Sequence, residues 1–130
     1  MLKIIYDINY NYIIRDKNIY VYNDDEFNVF DIQTKENHEY TFRFISVDVS
    51  YDEKTIIYST NNKIILLNVE DNTTKEFNIS NVVKLKVSID NKYLLIGINV
   101  NNFISVKILN ITNNQISDFV ENVTDFFWMI

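Results

Sequence analysis

The sequence predicts an all-β protein, and three observations carry that expectation. Apolar and polar residues alternate in short runs, the two-residue period of a strand with one buried face. The runs are rich in Ile, Val, Tyr, Phe and Thr, the types that fit a pleated, half-buried surface. A block of turn residues recurs along the chain. No stretch shows the apolar spacing of a helix of three turns.

The chain has 130 residues, 47% of them apolar and 23% charged. That length and balance predict a single domain over residues 1–130 and exclude intrinsic disorder. There is no Cys, no Pro, no Ala, and one Gly, Gly97. Disulfide, collagen-like and Ala-rich coiled-coil readings fall on those counts. Heavy use of Ile, Asn, Lys and Tyr looks like AT-biased codon usage, which bears on the genome more than on the fold.

Repeats organise the chain. Val49-Ser50-Tyr51-Asp52-Glu53-Lys54-Thr55-Ile56-Ile57 matches Val87-Ser88-Ile89-Asp90-Asn91-Lys92-Tyr93-Leu94-Leu95, 38 residues on. Leu67-Asn68 and its continuation to Phe77 match Leu109-Asn110 and on to Phe119, 42 residues on. The four extra residues fall near Val100 to Phe103, where a hairpin loop is expected to absorb them. A fainter first copy runs through Asp16-Lys17-Asn18-Ile19-Tyr20 and Phe30-Asp31-Ile32. The units are about 8–42, 43–80 and 81–120, with terminal strands expected at 2–6 and 122–130.

Each unit parses into four short strands. The first gives Ile8–Ile14, Asn18–Tyr22, Phe27–Ile32 and Glu39–Phe42. In the second, Phe44–Ser50 puts Ile45, Val47 and Val49 on one face and Ser46, Asp48 and Ser50 on the other. Thr55–Thr60 is nearly all apolar, as for a strand buried on both faces. Asn61-Asn62 is expected to turn tightly, because Asn tolerates positive φ. Lys63–Val69 and Lys75–Ile79 complete the unit. The third repeats this as Val82–Ile89, Tyr93–Ile98, Phe103–Ile111 and Gln115–Val120. Tyr10, Tyr12, Tyr20 and Tyr22 are expected in the core.

Four strands in roughly 40 residues is the spacing of a β-propeller blade. At these residues the chain resembles the WD40-like family. Val-Ser-x-Asp-x-Lys stands where that family has a Ser-Pro-Asp-Gly-Lys-like turn. Phe30-Asp31, Leu67-Asn68 and Leu109-Asn110 stand where it has Trp-Asp. The family's Gly-His pair is missing, so its internal Asp/His/Ser/Trp network is not implied. What the resemblance implies is antiparallel four-stranded blade-like units, a partial propeller, acting as a rigid docking platform. A β-sandwich is the alternative.

Closed propellers have about four to eight blades, and this chain supplies three. Open blades leave apolar faces and unpaired backbone groups exposed. The expectation is therefore a non-enzymatic protein-interaction or scaffold module, closed by a protein partner or by self-association into a homo-oligomer. The apolar end, Phe126-Phe127-Trp128-Met129-Ile130, is the candidate interface strand, since Trp and Phe are favoured interface anchors.

Other chemistry is sparse. The net charge is −6, unsuited to direct nucleic-acid binding, which depends on phosphate neutralisation. No apolar run is long enough for a membrane span. The start of the chain reads as no signal peptide, which suggests an intracellular, cytoplasmic protein. Sequons at Asn72, Asn78, Asn110 and Asn122 are then matters of chance in an Asn-rich chain. His38 is alone, expected in a polar turn, and makes no zinc set. Asp24-Asp25-Glu26 reads as a charged hairpin turn. No phosphate loop, metal site, cofactor site or catalytic set is expected, and no small-molecule substrate. The alternative is a small all-β hydrolase or carbohydrate-active domain using acidic residues, for which no pair is singled out.

Overall fold

The computed structural model describes residues 10–123 and 125. Every regular element among the described residues is a β-strand. They are β1 (Asn11–Ile14), β2 (Asn18–Tyr22), β3 (Phe27–Asp31), β4 (Asn37–Tyr40), β5 (Val47–Val49), β6 (Thr55–Ser59), β7 (Ile64–Asn68), β8 (Thr74–Phe77), β9 (Val82–Val87), β10 (Tyr93–Val100), β11 (Phe103–Asn110) and β12 (Gln115–Val123). They form three four-stranded antiparallel meanders, β1-β2-β3-β4, β5-β6-β7-β8 and β9-β10-β11-β12. The chain divides into two compact units, Met1–Arg43 and Phe44–Ile130. The first sheet lies in the first unit, and the other two lie in the second.

The first sheet packs around one ring. Cross-strand pairing sets Tyr22, Phe27 and Tyr40 in line on one face. Phe27 is fully buried, with the rings of Tyr20, Tyr22, Tyr40 and Phe42 centred 5.4–6.1 Å from it. Stacked, tilted and edge-on aromatic pairs of this kind add about 0.5–1.5 kcal/mol each beyond their buried area. Tyr12 does not join them. It is exposed on β1, on the opposite face, because its partner across the ladder is Val21 and not Tyr20 or Tyr22.

In the second unit two sheets share a core. Ile57, Ile64 and Leu66 of the second sheet pack with Val82, Leu85, Val87, Leu94, Ile96 and Leu109 of the third. β6 is buried on both faces, as its near-continuous apolar run predicts.

The three copies of the apolar-Asp/Asn dipeptide do one job. The side-chain Oδ1 of Asp31 accepts the N–H groups of Gln33 and Thr34 at 2.9 and 2.8 Å. Asn68 does the same for Glu70 and Asp71 at 2.9 and 3.4 Å. Asn110 does it for Thr112 and Asn113 at 3.0 and 3.3 Å. Each loop then places one residue at positive φ: Lys35, Asn72 and Asn114. The N–H groups of Ile32, Val69 and Ile111 reach back to the carbonyls of Lys17, Lys54 and Lys92 at 2.9, 2.9 and 2.8 Å. Short polar side chains that mimic a backbone turn explain why Asp or Asn stands there.

Several expectations need correction. The Asn61-Asn62 turn closes without positive φ. The pair at positive φ is Asn101 and Asn102, which joins β10 to β11 as a two-residue hairpin. The four inserted residues near Val100 form no loop. They add two rungs to the β10–β11 ladder, because each side of the insertion keeps the apolar-polar alternation. β5 is three residues, not seven; Ile45 is exposed, and Ser46 bonds to Ser59 outside the regular ladder. Asp48, placed on a polar face by alternation, is buried. His38 lies in β4 and not in a turn, exposed and edge-on to Tyr40 at 4.5 Å. β12 runs on to Val123, which pairs with Ile104, so Asn122 and Val123 belong to it and not to a separate strand. The strand expected at 2–6 lies outside the described residues.

Candidate interaction surface

The junction between the second and third sheets shows what this chain uses to hold one blade-like sheet to the next. It starts at the repeated Val-Ser-x-Asp-x-Lys turn. In the second sheet the Ser50 hydroxyl donates to Asp52 Oδ1 at 2.6 Å and accepts the Thr55 N–H at 3.0 Å. Asp52 Oδ1 also accepts the Lys54 N–H at 3.0 Å. In the third sheet Ser88, Asp90, Tyr93 and Lys92 repeat the set at 2.6, 3.0 and 3.1 Å. Glu53 and Asn91 occupy the same positive-φ position, at 60° and 63°. The Ser88 hydroxyl and the Lys92 N–H hold the Asp90 carboxyl below its usual range.

Two polar contacts tie the sheets together beside the apolar core. The Asn91 Oδ1 accepts the N–H of Tyr51 at 2.6 Å and that of Asp52 at 3.3 Å. The buried Asp48 carboxylate accepts its neighbour Val49's N–H and, through the other oxygen, the N–H of Val87, each at 2.8 Å. A buried carboxylate is costly unless bonded, so Asp48 is held by what it caps. Alternation in the sequence gave no sign of this role.

Some of the equivalent positions elsewhere in the chain are exposed. Val49 and Val87 close the first hairpin of their sheets and are 0% and 1% exposed. Ile14 closes the first hairpin of the first sheet, opposite Ile19, and is 68% exposed. In the second sheet Phe77 pairs with Ile64 and packs on the shared core. In the third, Val106 takes the place of Ile64, and a β-bulge puts Phe119 and Val120 opposite it. Phe119 is 64% exposed and Val120 is exposed as well. Ile89 stands where Tyr51 stands, and its N–H donates to no acceptor among the described residues.

The expected interface strand, Phe126, Phe127, Trp128, Met129 and Ile130, lies outside the described residues. The sequence missed Ile14 and Phe119 as surface features, because their repeat counterparts, Val49, Val87 and Phe77, are buried or packed on the core. Asp24-Asp25-Glu26 is a turn: Asn23 Oδ1 accepts the N–H groups of Asp25 and Glu26, and Glu26 accepts the Tyr10 hydroxyl at 2.9 Å. No group of three metal-ligating side chains stands together among the described residues. A cavity of about 170 Å³ beside Thr55, Asn68 and Lys75 has no carboxylate in its lining. No helix among the described residues is long and apolar enough to cross a membrane.

No known protein-family pattern matches the chain, and no curated protein sequence matches it. Solved structures do resemble it. The N-terminal domain of Nup159 superposes with a TM-score of 0.59 at 14% identity, over 87% of this chain and 30% of that one. TolB from Acinetobacter baumannii gives 0.59 at 16% identity, over 84% and 29%. The β-propeller domain of Swd1 from Myceliophteria thermophila gives 0.52 at 12% identity, over 85% and 41%. This chain therefore spans less than half the length of each. At such identities the likeness is one of fold: the protein is all-β and β-propeller-like, with three four-stranded antiparallel blades.

Proposed function

We propose that this protein is a non-enzymatic, WD40-like interaction module, a subunit of a larger assembly whose remaining blades come from a protein partner or from a second copy. The observation that carries the reading is the pair Ile14 and Phe119. Both hold positions that other blades of this chain bury or pack against a neighbour, and both are exposed. Large exposed apolar side chains at repeat-equivalent core positions favour a surface built to be covered. The propeller fold supports the reading. Nup159 is itself seen in an S. cerevisiae complex with Dbp5 and Gle1. The acidic balance of the chain suits protein partners better than nucleic acid. We place it inside the cell, where a fold without disulfides needs no oxidising surroundings.

The hydrolase alternative draws no support from the carboxylates. Asp31, Asp52 and Asp90 are bonded within their own turns, and Asp48 is buried on backbone N–H groups. Cross-linking at native expression level, read by mass spectrometry, tests the proposal. Lysines of the third blade, Lys84, Lys86 and Lys107, should join reproducibly to one protein species. A protein that yields no such link, and that turns over a glycoside or ester, would overturn it.

A further inference from the structure

The third sheet has two buried faces, and the junction with the second sheet covers only one of them. Leu94, Ile96 and Leu109 belong to the core that the two sheets share. Leu95 and Val106 stand on the opposite face, outside that core, and are 5% and 1% exposed. Gly97, across the ladder from Val106, is buried as well. Side chains in the middle of a bare sheet face stay open to water, so a further layer lies over these three residues.

The repeat says what belongs there. Ile57 and Ile64, 38 and 42 residues earlier, hold the same positions in the second sheet. They share a core with Val82, Leu85 and Val87 of β9, the strand that follows β8. The residues that follow β12 in the same way run through Phe126-Phe127-Trp128-Met129-Ile130, all apolar. Asp125 gives the direction. β12 is one edge of the third sheet and β9 is the other. Val123 closes β12, yet Asp125, two residues on, forms an ion pair with Lys84 of β9. Lys84 pairs with Gly97 across the ladder, so Lys84, Gly97 and Val106 make one row on the face in question. Neighbouring strands are about 4.8 Å apart, so the chain after Val123 turns in over this face toward β9. Gly97 is not at positive φ, and the backbone conformation does not require a glycine there. Its missing side chain leaves room above the row, where a second backbone can come close.

We infer that residues 126–130 lie over Leu95, Gly97 and Val106 of their own chain, in the place that β9 takes on the second sheet. Both alternating sets of the segment, Phe126-Trp128-Ile130 and Phe127-Met129, are apolar. Whichever set faces the sheet therefore excludes water from it. The segment expected to bind a partner is thereby turned inward as a cap on the last blade. A protein that docks at this end meets the cap and not the third sheet. The cap goes beyond the interaction-module reading and holds whether or not a second protein completes the ring.

NMR on the full chain tests it. The methyl groups of Leu95 and Val106 should show nuclear Overhauser contacts with at least one ring of Phe126, Phe127 and Trp128. In a mixture of labelled and unlabelled chains those contacts should stay within one chain at every concentration. A chain stopped after Asp125 should unfold at lower urea and show shifted Leu95 and Val106 methyl signals. The absence of every such ring contact overturns the proposal. Contacts that cross between chains in the mixture overturn it too, since the face then belongs to a second copy. A shortened chain with an unchanged urea midpoint and unchanged methyl signals has the same force. Should the shortened chain not fold, the contacts in the full chain decide alone. The cross-linking result separately decides the interaction-module reading.

Discussion

Asp48 Oδ2 accepts the backbone N–H of Val87 at 2.8 Å, across 39 residues and from one blade to the next. Its other oxygen takes the N–H of Val49. Removing a buried acceptor leaves its donors unsatisfied, at about 1–3 kcal/mol. Asp48→Ala should therefore lower the urea midpoint and speed exchange of the Val87 amide. Asp48→Asn keeps one oxygen and should lose less. If Asp48→Ala unfolds at the wild-type midpoint, the carboxylate does not hold the junction.

Asn91 has two separable roles, one in backbone conformation and one as acceptor. It sits at φ 63° and its side chain caps the N–H groups of Tyr51 and Asp52. Asn91→Gly keeps the left-handed conformation and removes the acceptor, for a loss of about 0.5–1.5 kcal/mol. Asn91→Ala adds the steric cost of a Cβ at positive φ, about 1–2 kcal/mol more. Thermal unfolding should rank wild type above Gly and Gly above Ala. Equal losses for the two variants would mean that the conformation carries no cost.

Glu53 and Lys35 stand at positive φ, 60° and 63°, where sister turns have Asn91, Asn72 and Asn114. Asn enters that region more readily than long side chains do. Glu53→Asn and Lys35→Asn should each stabilise the protein by about 0.5–1 kcal/mol. Additive gains are expected, since the two turns lie in different compact units. Unchanged unfolding midpoints would count against the strain.

The strands were legible because the signal is local. Alternation and turn residues placed β2, β6 and β11 within a residue or two. The repeat was legible for a physical reason as well: Ser50-x-Asp52 and Ser88-x-Asp90 build the same turn from the same hydrogen bonds. What was not legible depends on partners distant in sequence. Period two assigns Asp48 to a polar face, and only the third blade's backbone makes that face an interior. Nothing local marks Ile14 and Phe119 as exposed, since their repeat counterparts Val49, Val87 and Phe77 are buried or packed on the core. Positive φ falls at Asn101-Asn102 and not at Asn61-Asn62, a difference that residue type does not carry, since both are Asn pairs.

Acid should weaken the outer turns of the first and second blades and spare that of the third. The N–H of Thr34, with that of Gln33, holds the Asp31 carboxyl below its ordinary value of 3.8. A carboxyl lowered on folding contributes stability that is complete above its unfolded pKa and is lost as pH falls through the folded one. The loss from Asp31 therefore begins only below about pH 4. Asn68 and Asn110 cap the equivalent turns with an uncharged amide; the second blade's turn still titrates through Asp71, held low by the Thr73 hydroxyl and N–H, while the third blade's turn has no carboxylate. Asp31→Asn should keep the turn at neutral pH and narrow the gap in urea midpoint between pH 7 and pH 3. A gap as wide as that of the wild type would show that Asp31 is protonated as easily in the folded chain as in the unfolded one.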